Sequence, residues 1–242
     1  MEPIIWIIGF LFIWELVVRV FNFPVTFIPA PSAIAQAFID LQLVRHFLST
    51  TYVVLAGYVI GIILGIILGT LLAHSIHLER GTSPILSLFQ AIPKTVLAPI
   101  FIIWFGFGAT PRIVATFLLV FFPLLVNTLT GMKITDPDLL SLLRSLRATK
   151  FQILMKVRIQ RALPLIFSGL KIAAPLAVVG AVTSEFFVGQ EGLGYLVLLS
   201  GWHIDIPLLF ASLVTMAFIG LALYGFVIIL ERRILHWYLR RH

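Results

Sequence analysis

The sequence predicts an all-α integral membrane protein, and three observations lead to that prediction. Hydrophobic residues make up 60% of the 242 residues and charged residues only 11%, whereas soluble domains carry about 25% charged residues. Long apolar runs recur along the whole chain. Lys and Arg concentrate in the gaps between these runs, as the positive-inside rule leads us to expect. We therefore predict a single transmembrane domain over residues 1–242, with the lipid bilayer as its solvent.

Composition also argues against several kinds of site and partner. A net charge of +7 would suggest nucleic acid for a soluble protein, but these cations lie between membrane segments, so no nucleic acid partner is expected. The chain has no cysteine, and we predict no metal site and no catalytic residue. The phosphate-loop pattern Gly-x-x-x-x-Gly-Lys-Ser/Thr does not occur in it. We expect no cofactor bound by this chain, so ATP-driven work would require separate ATPase subunits.

Six segments are predicted to form membrane-spanning helices, because each such helix needs about 20 largely apolar residues. They are residues 3–21, 51–75, 84–105, 111–131, 164–187 and 207–230. The first span carries Glu15 and Arg19 at i,i+4 spacing, and pairing would lower the cost of both charges. A short surface helix with Ser32 as its N-cap is predicted after this span. Asp205, followed by Pro207, is predicted to start the sixth span.

Basic residues predict the orientation of the spans. With both termini in the cytoplasm, twelve Lys and Arg residues fall inside and three fall outside, which favours this topology for a multi-pass protein of the cell inner membrane. The inside residues are Arg80, Lys133, Arg144, Arg147, Lys150, Lys156, Arg158, Arg161, Arg232, Arg233, Arg240 and Arg241, and the outside residues are Arg19, Arg45 and Arg112.

A glycine stripe marks the second span, where Gly57, Gly61, Gly65 and Gly69 recur every four residues. Small residues at this spacing let two helix backbones approach closely in a membrane. The stripe therefore predicts a helix-packing surface, either within one subunit, which we favour, or between two subunits.

Polar residues near interior prolines indicate a solute path through spans three, four and five. A proline frees backbone carbonyls, which in lipid require another partner or a wet cavity. Packing kinks are the alternative for each span. Lys171 is expected to extend its amine to the inner surface, and Lys94 to do so or to pair within the protein. The pathway candidates are Gln90, Lys94, Asn127, Thr128, Ser184 and Glu185.

The stretch 132–163 is the one long polar interval, and it predicts a cytosolic docking loop between spans four and five. Asp136 can cap a helix whose first turn holds Pro137. Apolar residues then recur with helical spacing over three to four turns, at Leu139, Leu142, Leu143 and Leu146. Such a helix could lie on lipid or be held by a cytosolic partner.

The chain resembles the membrane subunit of a binding-protein-dependent ABC importer, in the branch with nitrate, sulfonate, taurine, bicarbonate and thiamine-precursor permeases. The matching segments run in order from near one end to the other. They are Phe27-Ile-Pro-Ala-Pro-Ser, Ala91-Ile-Pro-Lys-Thr-Val-Leu-Ala-Pro, Phe122-Pro-Leu-Leu-Val-Asn-Thr, Arg144-Ser-Leu-Arg-Ala-Thr, Arg161-Ala-Leu-Pro and Ser184-Glu-Phe-Phe-Val-Gly-Gln-Glu-Gly-Leu-Gly-Tyr-Leu.

This resemblance implies a coupling helix that begins its pattern with Glu-Ala-Ala, followed after three residues by Gly. In this register residues 141–143 occupy the Glu-Ala-Ala positions and Arg147 occupies the Gly position. Further along, Val157 occupies the position of an Ile, and residues 159–160 occupy the positions of Leu-Pro. The sequence therefore departs from the family pattern at these positions. The ATPase-coupling candidates are Asp138, Ser141, Leu142, Leu143, Arg144, Arg147 and Lys150.

The resemblance also implies partners and a substrate class. The partners are cytoplasmic ATPase subunits that bind ATP and Mg, a second permease copy (a homodimer) and an extracytoplasmic substrate-binding protein. The substrate is a small anion such as nitrate, sulfonate or bicarbonate, or a pyrimidine or vitamin precursor. Two rival hypotheses are an ATP-independent secondary transporter or channel, which commonly shows an inverted repeat, and an intramembrane enzyme, which needs catalytic groups at membrane depth.

Overall fold

A computed structural model describes residues 2–188 and 190–236, and within that part the chain folds entirely into helices and connecting turns without a strand. Arg240 and Arg241, counted above among the inside charges, lie outside the described residues. The α-helices are α1 Glu2–Val20, α2 Pro31–Ala37, α3 Leu41–His74, α4 Ile76–Ala91, α5 Ala98–Phe105, α6 Ala109–Lys133, α7 Pro137–Ser145, α8 Lys150–Ile153, α9 Ile159–Val188, α10 Leu193–Trp202 and α11 Ile206–Ile234.

Among the residues that the structure describes, four helical segments are long and apolar enough to cross a membrane: Leu41–His74, Ala109–Lys133, Lys150–Phe187 and Ile206–Ile234. They include the predicted spans two, four, five and six. The prediction of an all-α membrane protein is confirmed. The exact number of spans stays a prediction.

Helix α6 lies at the centre of the bundle because its backbone approaches both α3 and α9. On the α3 side a Cβ added at Gly57 or Gly61 would lie 2.5 Å from Thr116 or Val120 of α6. On the α9 side a Cβ added at Gly180 would lie 2.7 Å from the Cα of Thr116. The glycine stripe of span two therefore packs against α6 within one chain, as favoured from the sequence.

Polar contacts join the long helices to one another. The Tyr58 hydroxyl of α3 donates a hydrogen bond to the Leu170 carbonyl of α9 at 2.9 Å. The Lys171 amine of α9 contacts both carboxylate oxygens of Glu231 on α11, at 2.9 and 3.0 Å. Glu231 directly follows predicted span six and precedes Arg232 and Arg233, so this ion pair lies at the predicted inner end of that span, and the extension of the Lys171 amine to the membrane surface stays a prediction.

The third predicted span, residues 84–105, is not one continuous helix. Helix α4 ends at Ala91, a 3₁₀ turn covers Lys94–Leu97, and α5 begins at Ala98. Ile92, which precedes Pro93, has an extended backbone with ψ of 128°, because the proline ring disfavours a helical conformation in the residue before it.

The fifth predicted span begins earlier than Pro164. Thr149 and Gln152 form a reciprocal capping box, which starts a helical rod that continues through a π-helical turn at Leu154–Arg158 into α9. Pro164 lies inside α9. The basic segment after α7 is therefore part of the same rod as span five rather than a separate surface segment.

The short helix after span one is present as α2, but Ser32 is not its N-cap. Ala30 takes that position without a side-chain hydrogen bond. The Ser32 N–H and hydroxyl instead donate to the Glu15 carboxylate at 3.0 and 2.8 Å. Glu15 also pairs with Arg19 at 2.6 Å, as predicted. The hydrogen bonds from Ser32 to Glu15 therefore join α2 to α1.

Candidate functional site

Glu185 occupies a closed polar site at one end of the bundle. Its side chain is 0% exposed although it lies near the end of α9. The Thr50 hydroxyl of α3 donates to its Oε1 at 2.8 Å, and the Gly194 N–H of α10 donates to its Oε2 at 2.8 Å. A buried carboxylate without such donors would cost several kcal/mol, so these contacts are required for the fold.

Arg112, 5% exposed at the start of α6, brings positive charge to the same place. Its Nη1 lies 3.9 Å from Glu185 Oε1. The same atom donates to the Ser49 hydroxyl at 3.1 Å and to the Glu191 carbonyl at 3.0 Å, while its Nε donates to the Gly108 carbonyl at 3.0 Å. One guanidinium thus neutralises the buried acid and also holds the segment that follows α9.

The backbone after α9 is fixed by two further side chains of α3. The Leu193 N–H donates to Thr50 Oγ1 at 2.7 Å, and the Gly192 N–H donates to His46 Nδ1 at 3.0 Å. Gly192 has a φ of +111°, and a Cβ there would lie 2.1 Å from the Glu185 carboxylate carbon. Only glycine fits this position. We call the side chains of His46, Thr50, Arg112 and Glu185 the Glu185 cluster, and the segment 190–194 the clamped loop.

The cluster orients α10 and the surface beside it. Helix α10 starts directly from the clamped loop and buries Leu193 and Leu196 completely. On its outer side the Arg45 guanidinium donates to Glu191 at 2.8 Å, and this hydrogen bond holds the pKa of Glu191 below its usual range. Together these contacts position the clamped loop and the start of α10.

His46, Thr50, Arg112, Gly192 and Gly194 were not singled out from the sequence as site residues. A buried acid needs a partner, and the sequence analysis expected one without naming it. One signal was available. Glu185, Arg112 and Thr50 all lie near the same predicted membrane surface, at the ends of spans five, four and two. Opposite charges at one membrane depth are candidates for a pair.

The pathway candidates do not form a single lining. Lys94 lies in the 3₁₀ turn, where its amine donates to the Gln90 carbonyl at 3.3 Å and sits 4.8 Å above the Phe122 ring. Gln90 itself is exposed. Lys94 is half-buried and Phe122 is buried, and the cation over the aromatic ring is a stabilising contact.

The other pathway candidates lie inside the bundle. Asn127 Nδ2 donates to the Pro123 carbonyl at 2.9 Å. A Cβ added at Gly169 of α9 would lie 3.0 Å from the Cβ of Asn127. Thr128 is 0% exposed and packs on Gly69. The Ser184 hydroxyl donates to the Ala181 carbonyl at 2.7 Å. The structure thus places these side chains in contacts between or within α3, α6 and α9.

Helix α7 lies at the other end of the bundle from the Glu185 cluster, since α6 begins beside the cluster and ends just before α7. Asp136 caps α7 by accepting from the Asp138 N–H at 2.9 Å, as predicted. None of the helix's described side chains is buried. Leu142, in α7, is 56% exposed and Leu146, which follows it, 69%.

The end of α7 explains one departure from the coupling-helix pattern. The helix has nine residues rather than the predicted three to four turns. The Arg147 N–H donates to the Arg144 carbonyl and the Ala148 N–H to the Leu143 carbonyl, both at 3.0 Å. This is a Schellman motif with Arg147 at the left-handed position, φ +58°, which glycine normally occupies. Arg147 therefore has the backbone of the glycine it replaces.

We predict that Arg147→Gly stabilises the end of α7. A non-glycine residue in the left-handed region costs about 1 kcal/mol or more, and glycine removes that cost. Hydrogen exchange of the Arg147 and Ala148 amides should slow severalfold. Arg147→Ala is the matched control, since it removes the same side-chain charge but keeps the Cβ. Equal exchange in the two variants would contradict this account.

Comparison with known proteins identifies the class to which this fold belongs. The family described as "Binding-protein-dependent transport system inner membrane component" matches residues 57–236. The riboflavin transport system permease protein RibX of Chloroflexus aurantiacus is 37% identical over 228 residues, which cover 93% of this chain and 85% of the relative. The formylaminopyrimidine transport permease protein ThiX of Halalkalibacterium halodurans is 34% identical over 240 residues, covering 98% and 96%.

More distant similarities agree with these. The putative aliphatic sulfonates transport permease protein SsuC of Bacillus subtilis is 29% identical over 229 residues, covering 93% of this chain and 83% of the relative. Among solved structures, the inward-facing MetNI methionine ABC transporter matches with a TM-score of 0.60 at 21% identity, over 77% of this chain and 94% of the matched chain. That structural match shows a shared fold.

The fold and these similarities define a multi-pass membrane permease rather than an enzyme. The chain belongs to the family of binding-protein-dependent transport system inner membrane components. It is therefore a translocation subunit of an ABC importer, and the predictions of its family, its fold class and its transport function are confirmed.

Proposed function

We propose that two copies of this chain enclose the path of an ATP-driven importer, with α7 docked on a cytoplasmic ATPase subunit. The observation that carries the proposal is α7 itself, a capped helix whose described side chains all remain unburied. Leu142 in the helix and Leu146 directly after it are both exposed. ATP and Mg bind to the ATPase subunits in this arrangement, and this chain supplies no phosphate-binding loop.

The orientation follows from the charges around α7. The α7 end of the bundle carries most of the cations of the chain, so it faces the cytosol together with both termini. The Glu185 cluster lies at the opposite end of α6, whose 25 residues span about 37 Å. The clamped loop and α10 consequently face the extracytoplasmic side, where a substrate-binding protein delivers the solute.

A second copy is supported by the exposed apolar residues of the segment that contains Lys94. The segment α4 to α5 is interrupted at Ile92–Pro93, and Ile103 and Trp104 of α5 are 80% and 69% exposed. Interrupted helices with polar groups line solute paths in transporters. In this proposal Gln90 and Lys94 border the path between two copies, while Asn127, Thr128, Ser184 and Glu185 support its walls.

The substrate class is narrowed by the relatives. RibX and ThiX, which are 37% and 34% identical to this chain, are named for riboflavin and formylaminopyrimidine transport. The sulfonate permease SsuC is 29% identical. We therefore favour a heteroaromatic vitamin or vitamin precursor over a small anion such as nitrate, sulfonate or bicarbonate. Uptake of labelled riboflavin, a formylaminopyrimidine and an alkyl sulfonate by the reconstituted complex, with its binding protein, compares the classes directly.

Charge reversal at α7 tests the docking proposal. We expect Arg144→Glu combined with Arg147→Glu to weaken co-purification of the ATPase by about tenfold, since like charges facing each other across an interface cost at least about 1.4 kcal/mol. Uptake-coupled ATP hydrolysis in proteoliposomes should fall with it. The measurements are the ATPase recovered per permease and the rate of phosphate release.

The matched control is Arg232→Glu combined with Arg233→Glu, which reverses two exposed charges at the α7 end of α11. This control should retain its ATPase. If the α7 variant co-purified with the ATPase and hydrolysed ATP as the unmodified chain does, α7 would not be part of the interface. Solute uptake by the chain alone, without ATP or an ATPase, would instead indicate a secondary transporter.

A further inference from the structure

A basic cavity lies beside α7 and has no part in the contacts described so far. Its volume is about 400 Å³, and its lining comes from the end of α3, from α7, and from the helical rod that follows. Four lining side chains are basic, and the described lining includes no carboxylate. They are His74, Arg144, Lys150 and Arg158.

None of these four side chains has an ion-pair or hydrogen-bond partner among the described residues. Nearby cations are satisfied differently, for Lys133 pairs with Glu79 and Lys171 with Glu231. Arg158 Nε is buried without an acceptor. A buried donor left unpaired costs about 1–3 kcal/mol, so the site favours an anion that brings acceptor oxygens.

The position of the cavity selects the kind of anion. His74 is the last residue of a candidate membrane span, so the cavity lies at the depth where the apolar part of that helix ends. Leu140 and Ile153 form an apolar part of its wall. Basic pockets between helices at the cytoplasmic surface bind phospholipid headgroups, and guanidinium groups match phosphate oxygens in geometry and charge.

We propose that this cavity binds a phosphate group, carried either by an anionic phospholipid headgroup or by soluble phosphate. Arg158 and Arg144 donate hydrogen bonds to the phosphate oxygens, and Lys150 adds charge at the exposed mouth. A bound phosphate ties α7 to the end of α3. The proposal goes beyond ATPase docking and rests on the proposed function only for the orientation that places the α7 end in the cytosol.

Ligand-dependent unfolding of the purified full-length chain tests the proposal. The chain is kept in an uncharged detergent without any ATPase, and its thermal midpoint is followed against dioctanoyl-phosphatidylglycerol, dioctanoyl-phosphatidylcholine or inorganic phosphate. A ligand of the folded state raises the midpoint in a saturable way. Phosphatidylglycerol alone should do so if the source is lipid, and phosphate alone if the source is soluble. The proposal would be overturned if neither phosphatidylglycerol nor inorganic phosphate raised the midpoint. It would also be overturned if phosphatidylglycerol and phosphatidylcholine raised the midpoint equally.

Substitutions locate the site. Arg158→Gln should weaken binding of the effective probe about tenfold, the loss expected for one charge-assisted hydrogen bond. Lys150→Gln should weaken it severalfold, and because Lys150 is exposed this variant decides the matter if Arg158→Gln fails to fold. The double variant Arg232→Gln, Arg233→Gln keeps full affinity as the control.

Two outcomes of these substitutions contradict the phosphate site. One is unchanged affinity for the probe in Lys150→Gln together with unchanged affinity in a folded Arg158→Gln. The other is loss of ATPase co-purification in the two variants without any loss of probe binding, which would assign the cavity to an acidic group of the ATPase. Because probe binding is measured on the chain alone, failure of the α7 docking proposal leaves this result interpretable.

Discussion

Replacing Glu185 by Ala is expected to destabilise the permease by about 3–5 kcal/mol, the cost of removing one partner of a buried ion pair. Arg112, 5% exposed, would then carry an uncompensated charge. The Thr50 hydroxyl and the Gly194 N–H would lose their acceptor. We expect a large drop in the thermal midpoint, a low yield of monodisperse protein and little solute uptake.

A local measurement separates loss of the clamped loop from general damage. Hydrogen exchange at the Leu193 and Gly194 amides should accelerate more than exchange in α11, because both amides donate to the Glu185 cluster. Glu191→Gln is the matched control. It removes a carboxylate only six residues away, whose Arg45 partner is exposed, so it should cost less than about 1 kcal/mol. Equal behaviour of the two variants would show that the cluster does not hold the loop.

Features encoded by neighbouring residues were predictable from the sequence. Asp136 and Asp205 cap α7 and α11 as expected, because a cap depends on a side chain and an amide two or three residues later. The Glu15–Arg19 pair is likewise a matter of one helical turn. Such signals are readable because helix geometry fixes the distances.

Features that depend on distant residues were not predictable. Glu185 accepts from Thr50, a residue 135 positions away, and Lys171 pairs with Glu231, 60 positions away. One sequence gives the membrane depth of such residues and leaves their angular position around the helix open. The cost of a buried charge therefore predicted a partner for Glu185 without identifying it. For Lys171 the same limit left the partner Glu231 unnamed.

Replacing Gly65 by Leu is expected to disrupt the contact between α3 and α6 in the transmembrane core. The first carbon of the new side chain would lie 2.7 Å from Leu124 Cβ and 3.0 Å from the Phe121 carbonyl oxygen of α6. Backbone atoms cannot rotate away, so α3 and α6 would have to separate. Overpacking of a close-packed site costs about 1–3 kcal/mol, and we expect the upper end or more. The thermal midpoint and the fraction of monodisperse protein in detergent measure this cost.

Gly225→Leu is the control that isolates the close approach, because it adds the same side chain at a glycine inside α11 with no atom within 4 Å of the new Cβ. Replacing a mid-helix glycine by a good helix former gains up to about 1 kcal/mol. The two variants should therefore shift the midpoint in opposite directions. If Gly65→Leu behaves like Gly225→Leu, the contact between α3 and α6 is looser than the structure shows. If both lower the midpoint equally, added bulk rather than helix contact is responsible.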